Sequence, residues 1–89
     1  MSELILAIER WRPGAAAAIY TRFRESGRGL PDTVTVHGSW VDSSLSRCWQ
    51  VMDAPSAADL EAWIAHWSDL MEIETVPVVT GAEAAQRAT

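Results

Sequence analysis

Apolar residues along this chain recur first at the period of a strand, then of a helix. Leu4 to Ile8 form an unbroken apolar run inside ELILAIER, residues 3–10. A strand apolar on both faces is buried on both, which suits the centre of a sheet. Pro13 and Gly14 end it, and Pro13 also suits the first position of a helix. The next segment, AAAAIYTRFRES, is rich in helix formers and sets Ala16, Ile19 and Phe23 at helical spacing. Gly27 and Gly29 stop that helix, and Pro31-Asp32 turns the chain.

Residues 33–41, TVTVHGSWV, are β-branched and alternating, which predicts a strand. Val34, Val36, Gly38 and Trp40 would share one face, and Thr35, His37 and Ser39 the other. Asp42-Ser43-Ser44 reads as a turn into a second strand at 45–53, LSRCWQVMD, so the pair is a hairpin. A two-residue loop at Ser43-Ser44 would set Trp40 opposite Arg47, Ser39 opposite Cys48 and His37 opposite Gln50. A three-residue loop would swap the faces of one strand relative to the other.

Ser56 followed by Asp59 resembles a capping box. Behind it, Leu60, Trp63, Ile64, Trp67, Leu70 and Met71 recur at three- and four-residue steps and predict one apolar helical stripe. Residues 72–79, EIETVPVV, form a last strand, and Pro77 assigns it to a sheet edge or a bulge. GAEAAQRAT, 81–89, reads as a frayed helical end. The order strand, helix, strand, strand, helix, strand predicts an α+β, ferredoxin-like βαββαβ domain spanning 1–89. Its four-stranded antiparallel sheet would carry both helices on one face, with the first and third strands central.

Composition adds a constraint. Hydrophobic residues make up 48% of the 89, five of them Trp, and each Trp brings roughly 200 Å² that needs cover. A chain this short buries only about 60–65% of its unfolded surface, so the surplus points to a partner surface or a ligand cleft. The net charge of −5, with seven Arg, no Lys and twelve acids, excludes the basic stripe that a nucleic-acid partner needs. Five of the Arg, from Arg10 to Arg28, lie in the first third, as a solvated helix face or as a fork for an anion. The single cysteine, Cys48, forms no intrachain disulfide. No apolar stretch approaches twenty residues and none follows a basic leader, so a cytoplasmic protein with no membrane partner is expected.

The stretches AIERWRPGAAAAIYTRFRESGRGLP, SWVDSSLSRCWQVMDA and WIAHWSDLMEIETVPVVT together resemble a family of short bacterial proteins, number 3303 in the domain-of-unknown-function series. The resemblance covers nearly the whole chain and implies the dimeric α/β-barrel superfamily, in which two such sheets pack face to face. It implies no activity, because the superfamily includes cofactor-independent monooxygenases, haem-degrading enzymes, muconolactone-type isomerases and members without known chemistry. It agrees with the pattern on one point. Helices on one sheet face leave the other bare, and strand residues such as Leu4, Leu6, Val34, Val36, Trp49 and Val51 ask for a homodimer to cover it.

The candidate chemistry lies in the hairpin. His37, Ser39, Cys48 and Gln50 form a polar patch among apolar neighbours, which either satisfy one another or serve a ligand. No carboxylate joins them in the two-residue-loop register, so a Ser–His or Cys–His nucleophile lacks its orienting group. Trp63 and Trp67 are core by periodicity. Trp11, Trp40 and Trp49, with Arg47 at the mouth, could line an aromatic cleft between sheet and helices, or Trp40 could stack on Arg47 with no ligand. The candidate ligand-binding set is therefore His37, Trp40, Arg47, Trp49 and Gln50. The strands have opposed faces, so only part of this set can face the helices and the rest would line a dimer barrel. His66 borders the second stripe. The haem-degrading relatives' helical histidine is accompanied by a first-strand Asn, which ELILAIER lacks. Two isolated His and one Cys give no metal-ligand spacing, and neither a metal nor a cofactor is expected.

Two function classes follow. One is a non-catalytic homodimeric module that binds a small apolar or aromatic ligand, or a protein partner. The other is a cofactor-independent monooxygenase or isomerase, which needs a solvent-connected pocket on the order of a few hundred Å³ with a proton-accepting group. With no acid–base pair evident, the first is preferred.

Overall fold

Residues 3–89 are described by a computed structural model of the protein. Strand β1 (Glu3–Trp11) runs into helix α1 (Ala16–Ser26), then strands β2 (Thr35–Val41) and β3 (Arg47–Ala54). A 3₁₀ turn (Ala57–Leu60) leads into helix α2 (Glu61–Trp67), strand β4 (Met71–Pro77) and helix α3 (Gly81–Ala88). The four strands form one sheet in the order β2-β3-β1-β4, antiparallel at every junction. This is the ferredoxin-like α+β topology. β1 and β3 are central, and Pro77 lies on edge strand β4, where its missing N–H faces no partner strand.

Alternation places Ile5, Ala7, Glu9 and Trp11 of β1 on one face with Cys48, Gln50, Met52 and Ala54 of β3, all buried. Leu60, Trp63 and Trp67 cover that face and complete the core with Ile19 of α1 and Met71. A local cap starts the second helical segment. The Asp59 carboxylate accepts from the Ser56 N–H at 2.9 Å, the backbone half of a capping box, and from the Ser56 hydroxyl at 3.0 Å. The helix is shorter than the stripe suggests. It ends at Trp67, a turn closed by Leu70 N–H to Trp67 O follows, and Met71 already belongs to β4.

Pro13 sits outside α1. Arg12 to Ala15 make a turn closed at 3.0 Å, with Gly14 at φ 75°, so Pro13 and Gly14 occupy the two central positions of a type II turn and the helix begins at Ala16. The end of α1 is clamped to the end of α2. Arg22 donates to both carboxylate oxygens of Asp69, at 2.9 and 2.7 Å, and to the His66 carbonyl at 2.9 Å. Its guanidinium also lies 5.2 Å from the Trp67 ring centroid. The Arg22 hydrogen bonds hold the Asp69 carboxyl down at about 2. This Arg is therefore spent on an internal carboxylate.

The hairpin departs from the expected register. Val41 pairs with Cys48, Trp40 with Trp49 and Ser39 with Gln50, so the loop spans 42–46 and not Ser43-Ser44 alone. Asp42 organises it by accepting from the Ser46 and Arg47 N–H groups, each at 2.8 Å. The Ser44 and Ser46 hydroxyls donate to the same side chain, and these contacts, the Ser44 hydroxyl foremost, hold its carboxyl well below the usual carboxylate range. Leu45 takes a left-handed conformation at φ 57° to close the turn. A bulge between Val36 and Gly38 then shifts the register, so that Val36 opposes Met52 while Gly38 opposes Val51. Val34 and Val36 accordingly pack on the helix-covered core, away from the face that holds Gly38 and Trp40.

The tail at 81–89 is a regular helix, α3, capped by the Thr80 hydroxyl accepting from Glu83 N–H at 3.1 Å. None of its residues is buried. Among the described residues no helix is long and apolar enough to cross a membrane.

Candidate functional site

Between the sheet and the two helices of its covered face lies a cavity of about 70 Å³, open on one side. Its floor comes from the central strands: Glu9 and Trp11 of β1, Cys48 and Gln50 of β3. Trp63 and Trp67 form one wall. The exposed residues Tyr20, Phe23, Arg28 and Ser39 frame the opening.

The floor is polar because of one residue hidden in the first apolar run. Glu9 stands in phase with Ile5, Ala7 and Trp11 and is only 5% exposed. Its Oε1 accepts from the Trp11 indole N–H at 2.9 Å and its Oε2 from the Gln50 amide at 2.5 Å. The register explains the second contact. Gln50 pairs with Ala7, Glu9 pairs with Cys48, and the two polar side chains meet on the diagonal, within reach across one face. The small Ala7 beside Gln50 leaves its long side chain room. This carboxylate corrects the expectation that none would join the polar patch.

Gln50 is 6% exposed. Its amide can be oriented only one way, because the reverse would set its carbonyl oxygen against a carboxylate oxygen. With the NH₂ spent on Glu9, the Oε1 atom remains buried with no hydrogen-bond partner. Such an atom costs about 1–3 kcal/mol, and native structures rarely tolerate one without a reason. Beside it, Cys48 Sγ and Ser39 Oγ lie 3.5 Å apart and pair with each other. Burial pushes the Cys48 thiol up, the Ser39 hydroxyl pulls it down and the Glu9 charge raises it again. The net rise keeps the sulfur protonated and a poor nucleophile at neutral pH.

The bulge separates the remaining candidates from Gln50. His37 is the extra residue of the bulge, and its Nε2 lies 2.6 Å from Asp53 Oδ2, on the sheet face opposite α1 and α2. His37 and Gln50 therefore do not act as a pair, and neither Ser39 nor Cys48 has a histidine partner. Trp40 and Trp49 oppose each other on that same open face, where Arg47 pairs across with Arg10. Trp40 is 60% exposed and lies across Gly38, where any Cβ would overlap its ring. The cation at the cleft mouth is Arg28, not Arg47. Its guanidinium lies 5.5 Å from the Phe23 ring centroid, and its carbonyl accepts from the Trp67 indole at 2.8 Å. His66 stands outside the cleft, edge-on to Trp67. Among the described residues no group of three or more His, Cys, Asp or Glu could hold a metal ion.

Sequence reasoning missed Glu9, Tyr20, Phe23 and Arg28 as cleft residues. The signal for Glu9 was its phase: two and four residues from Ala7 and Ile5, and two from Trp11.

A ferredoxin-like α+β domain with a carboxylate and an unpaired amide oxygen beneath an aromatic cleft is thus defined. The chain belongs to the family described as Domain of unknown function (DUF3303), whose model matches residues 4–89. No curated protein matches the chain, and no solved structure matches it.

Proposed function

We propose that the protein is a homodimeric binding module that takes a small apolar or aromatic molecule into the cleft between its sheet and helices. The observation that carries this reading is the unpaired Gln50 Oε1, a buried atom of a side chain that lines a cavity walled by aromatic residues and open on one side. A fold gains nothing from such an atom, whereas a ligand that reaches it does.

The homodimer is supported by the open sheet face. Leu4, Leu6, Ile8, Trp49, Val51 and Val76 are only partly covered there, and Trp40 projects beyond them. A second copy laid on this face would cover them, and a stable interface buries roughly 1,200–2,000 Å² in total. Around the apolar centre, the face carries Arg10, Arg47, Glu72, Glu74 and the His37–Asp53 pair, a mixed-charge rim of the kind found around protein interfaces.

The monooxygenase or isomerase alternative gains one support, since Glu9 is a group that could accept a proton in the cleft. The volume of about 70 Å³ stands against it, being well short of the few hundred Å³ that typically enclose a whole substrate. The test is a titration of tryptophan fluorescence with a panel of small aromatic compounds, together with sedimentation equilibrium at micromolar concentration. Saturable quenching by a dimer is expected. A monodisperse monomer refutes the homodimer, and a flat titration across the panel refutes binding.

A further inference from the structure

We propose that the cleft selects a neutral aromatic ligand that offers a hydrogen-bond donor, a hydroxyl or an N–H, to Gln50 Oε1, and that it disfavours anions and donor-free rings. The inference rests on the reading of the cleft as a binding site and adds the polarity of what enters it.

Every donor atom on the floor has a partner. The Trp11 indole N–H and one Gln50 amide N–H donate to Glu9, and Ser39 and Cys48 share one hydrogen bond. The buried atom left without a partner is an acceptor, Gln50 Oε1, with the Glu9 carboxylate beside it. A ligand whose polar end is itself only an acceptor, such as a quinone or an ether, would set oxygen against oxygen at this buried atom. A hydroxyl or N–H completes the one missing bond.

Charge narrows the class further. An anion would have to approach Glu9 on the floor, where low polarity magnifies the repulsion. A cation must pass the Arg28 guanidinium, which stands over Phe23 at the opening. A neutral donor meets neither barrier. Size sets how much of the ligand is enclosed. The cavity of about 70 Å³ is roughly half of the ~150 Å³ that holds a benzene molecule. The donor and the near edge of one ring fit inside, and the rest of the ring lies between Tyr20 and Phe23. Both of those side chains are about 40% exposed, at 39% and 40%, so this part of the wall can rearrange around a guest without opening the core.

The experiment titrates the native protein with three probes of nearly equal shape: p-cresol, 4-methylanisole and 4-methylbenzoate. The indole N–H resonances of Trp11, Trp63 and Trp67 are followed by ¹H–¹⁵N NMR. p-Cresol is expected to bind at least about tenfold more tightly than 4-methylanisole, because a site built around an unpaired polar atom penalises the analogue that leaves it unpaired. 4-Methylbenzoate is expected to bind more weakly than either. In Gln50→Met the preference for p-cresol over 4-methylanisole should vanish while 4-methylanisole still binds. The three-probe comparison on the native protein stands even where that variant folds poorly. Equal affinity for p-cresol and 4-methylanisole, or tighter binding of 4-methylbenzoate, overturns the donor rule and leaves the binding reading intact. No shift of these indole resonances with any probe overturns both.

Discussion

Replacing Glu9 and Gln50 by methionine, singly and together, asks whether the polar floor serves the fold or something the fold holds. In Gln50→Met, Glu9 loses a charge-assisted hydrogen bond worth about 1.5–3 kcal/mol, while an orphaned acceptor costing about 1–3 kcal/mol disappears. The two nearly cancel. In Glu9→Met, the Trp11 indole and the Gln50 amide both lose their acceptor, at about 1–3 kcal/mol each. The double variant strands only the Trp11 indole and also removes a carboxylate whose burial is itself costly. Its stability is predicted to lie within about 1 kcal/mol of the native protein or above it. The coupling energy between the two sites should be about 1.5–3 kcal/mol, the size of the bond they share. Urea unfolding followed by circular dichroism at pH 7 measures all four corners, at one protein concentration so that any association contributes equally. Additive single effects would show that the Glu9–Gln50 bond is not made. A double variant more than about 3 kcal/mol less stable than native would show that the cluster holds the core together, well outside the change expected when a polar network gives way to methionine.

Three further outcomes follow from the same packing. Trp63, 2% exposed at the centre of the core, should cost about 3–5 kcal/mol on truncation to Ala, and an unchanged urea midpoint would contradict its placement. The depressed Asp69 carboxyl makes the Arg22 clamp sensitive to acid. Its contribution is fully present above the unfolded-state value of about 3.9 and is lost as pH falls toward about 2. Thermal midpoints should therefore drop across that window, and less steeply in Asp69→Asn; identical slopes would show that the clamp does not form. Deleting 81–89, which buries no residue, should shift the midpoint by no more than about 2 °C, because little apolar area leaves the core.

The fold was legible because its elements are locally consistent. The Leu4–Ile8 run, the Ser56–Asp59 cap and Pro77 each point to one place in a βαββαβ sheet. The hairpin was less so. Ser43-Ser44 looks like a tight turn, but tight two-residue turns favour Gly or Asn. The chain instead uses the Asp42 side chain as an acceptor and a left-handed Leu45 to make a five-residue loop. The bulge at His37 left no cue beyond Gly38 beside it, and it carried His37 away from Gln50. Glu9 was hidden for a different reason. Its neighbours read as a strand buried on both faces, and a lone charge at the end of such a run looks like the point where the strand meets solvent. Only the alternation with Ala7 and Trp11 shows that it points inward. Gln50 stood out as a polar residue between apolar ones, and its missing partner could be seen only once Glu9 was found beside it.

The most direct test of the cleft is a crystal structure of the protein grown in millimolar p-cresol. The account predicts density for one ring between Tyr20 and Phe23, its hydroxyl within hydrogen-bonding distance of Gln50 Oε1. A cleft that instead holds an ordered water on Gln50 Oε1 at saturating p-cresol, with no ring bound, would contradict it.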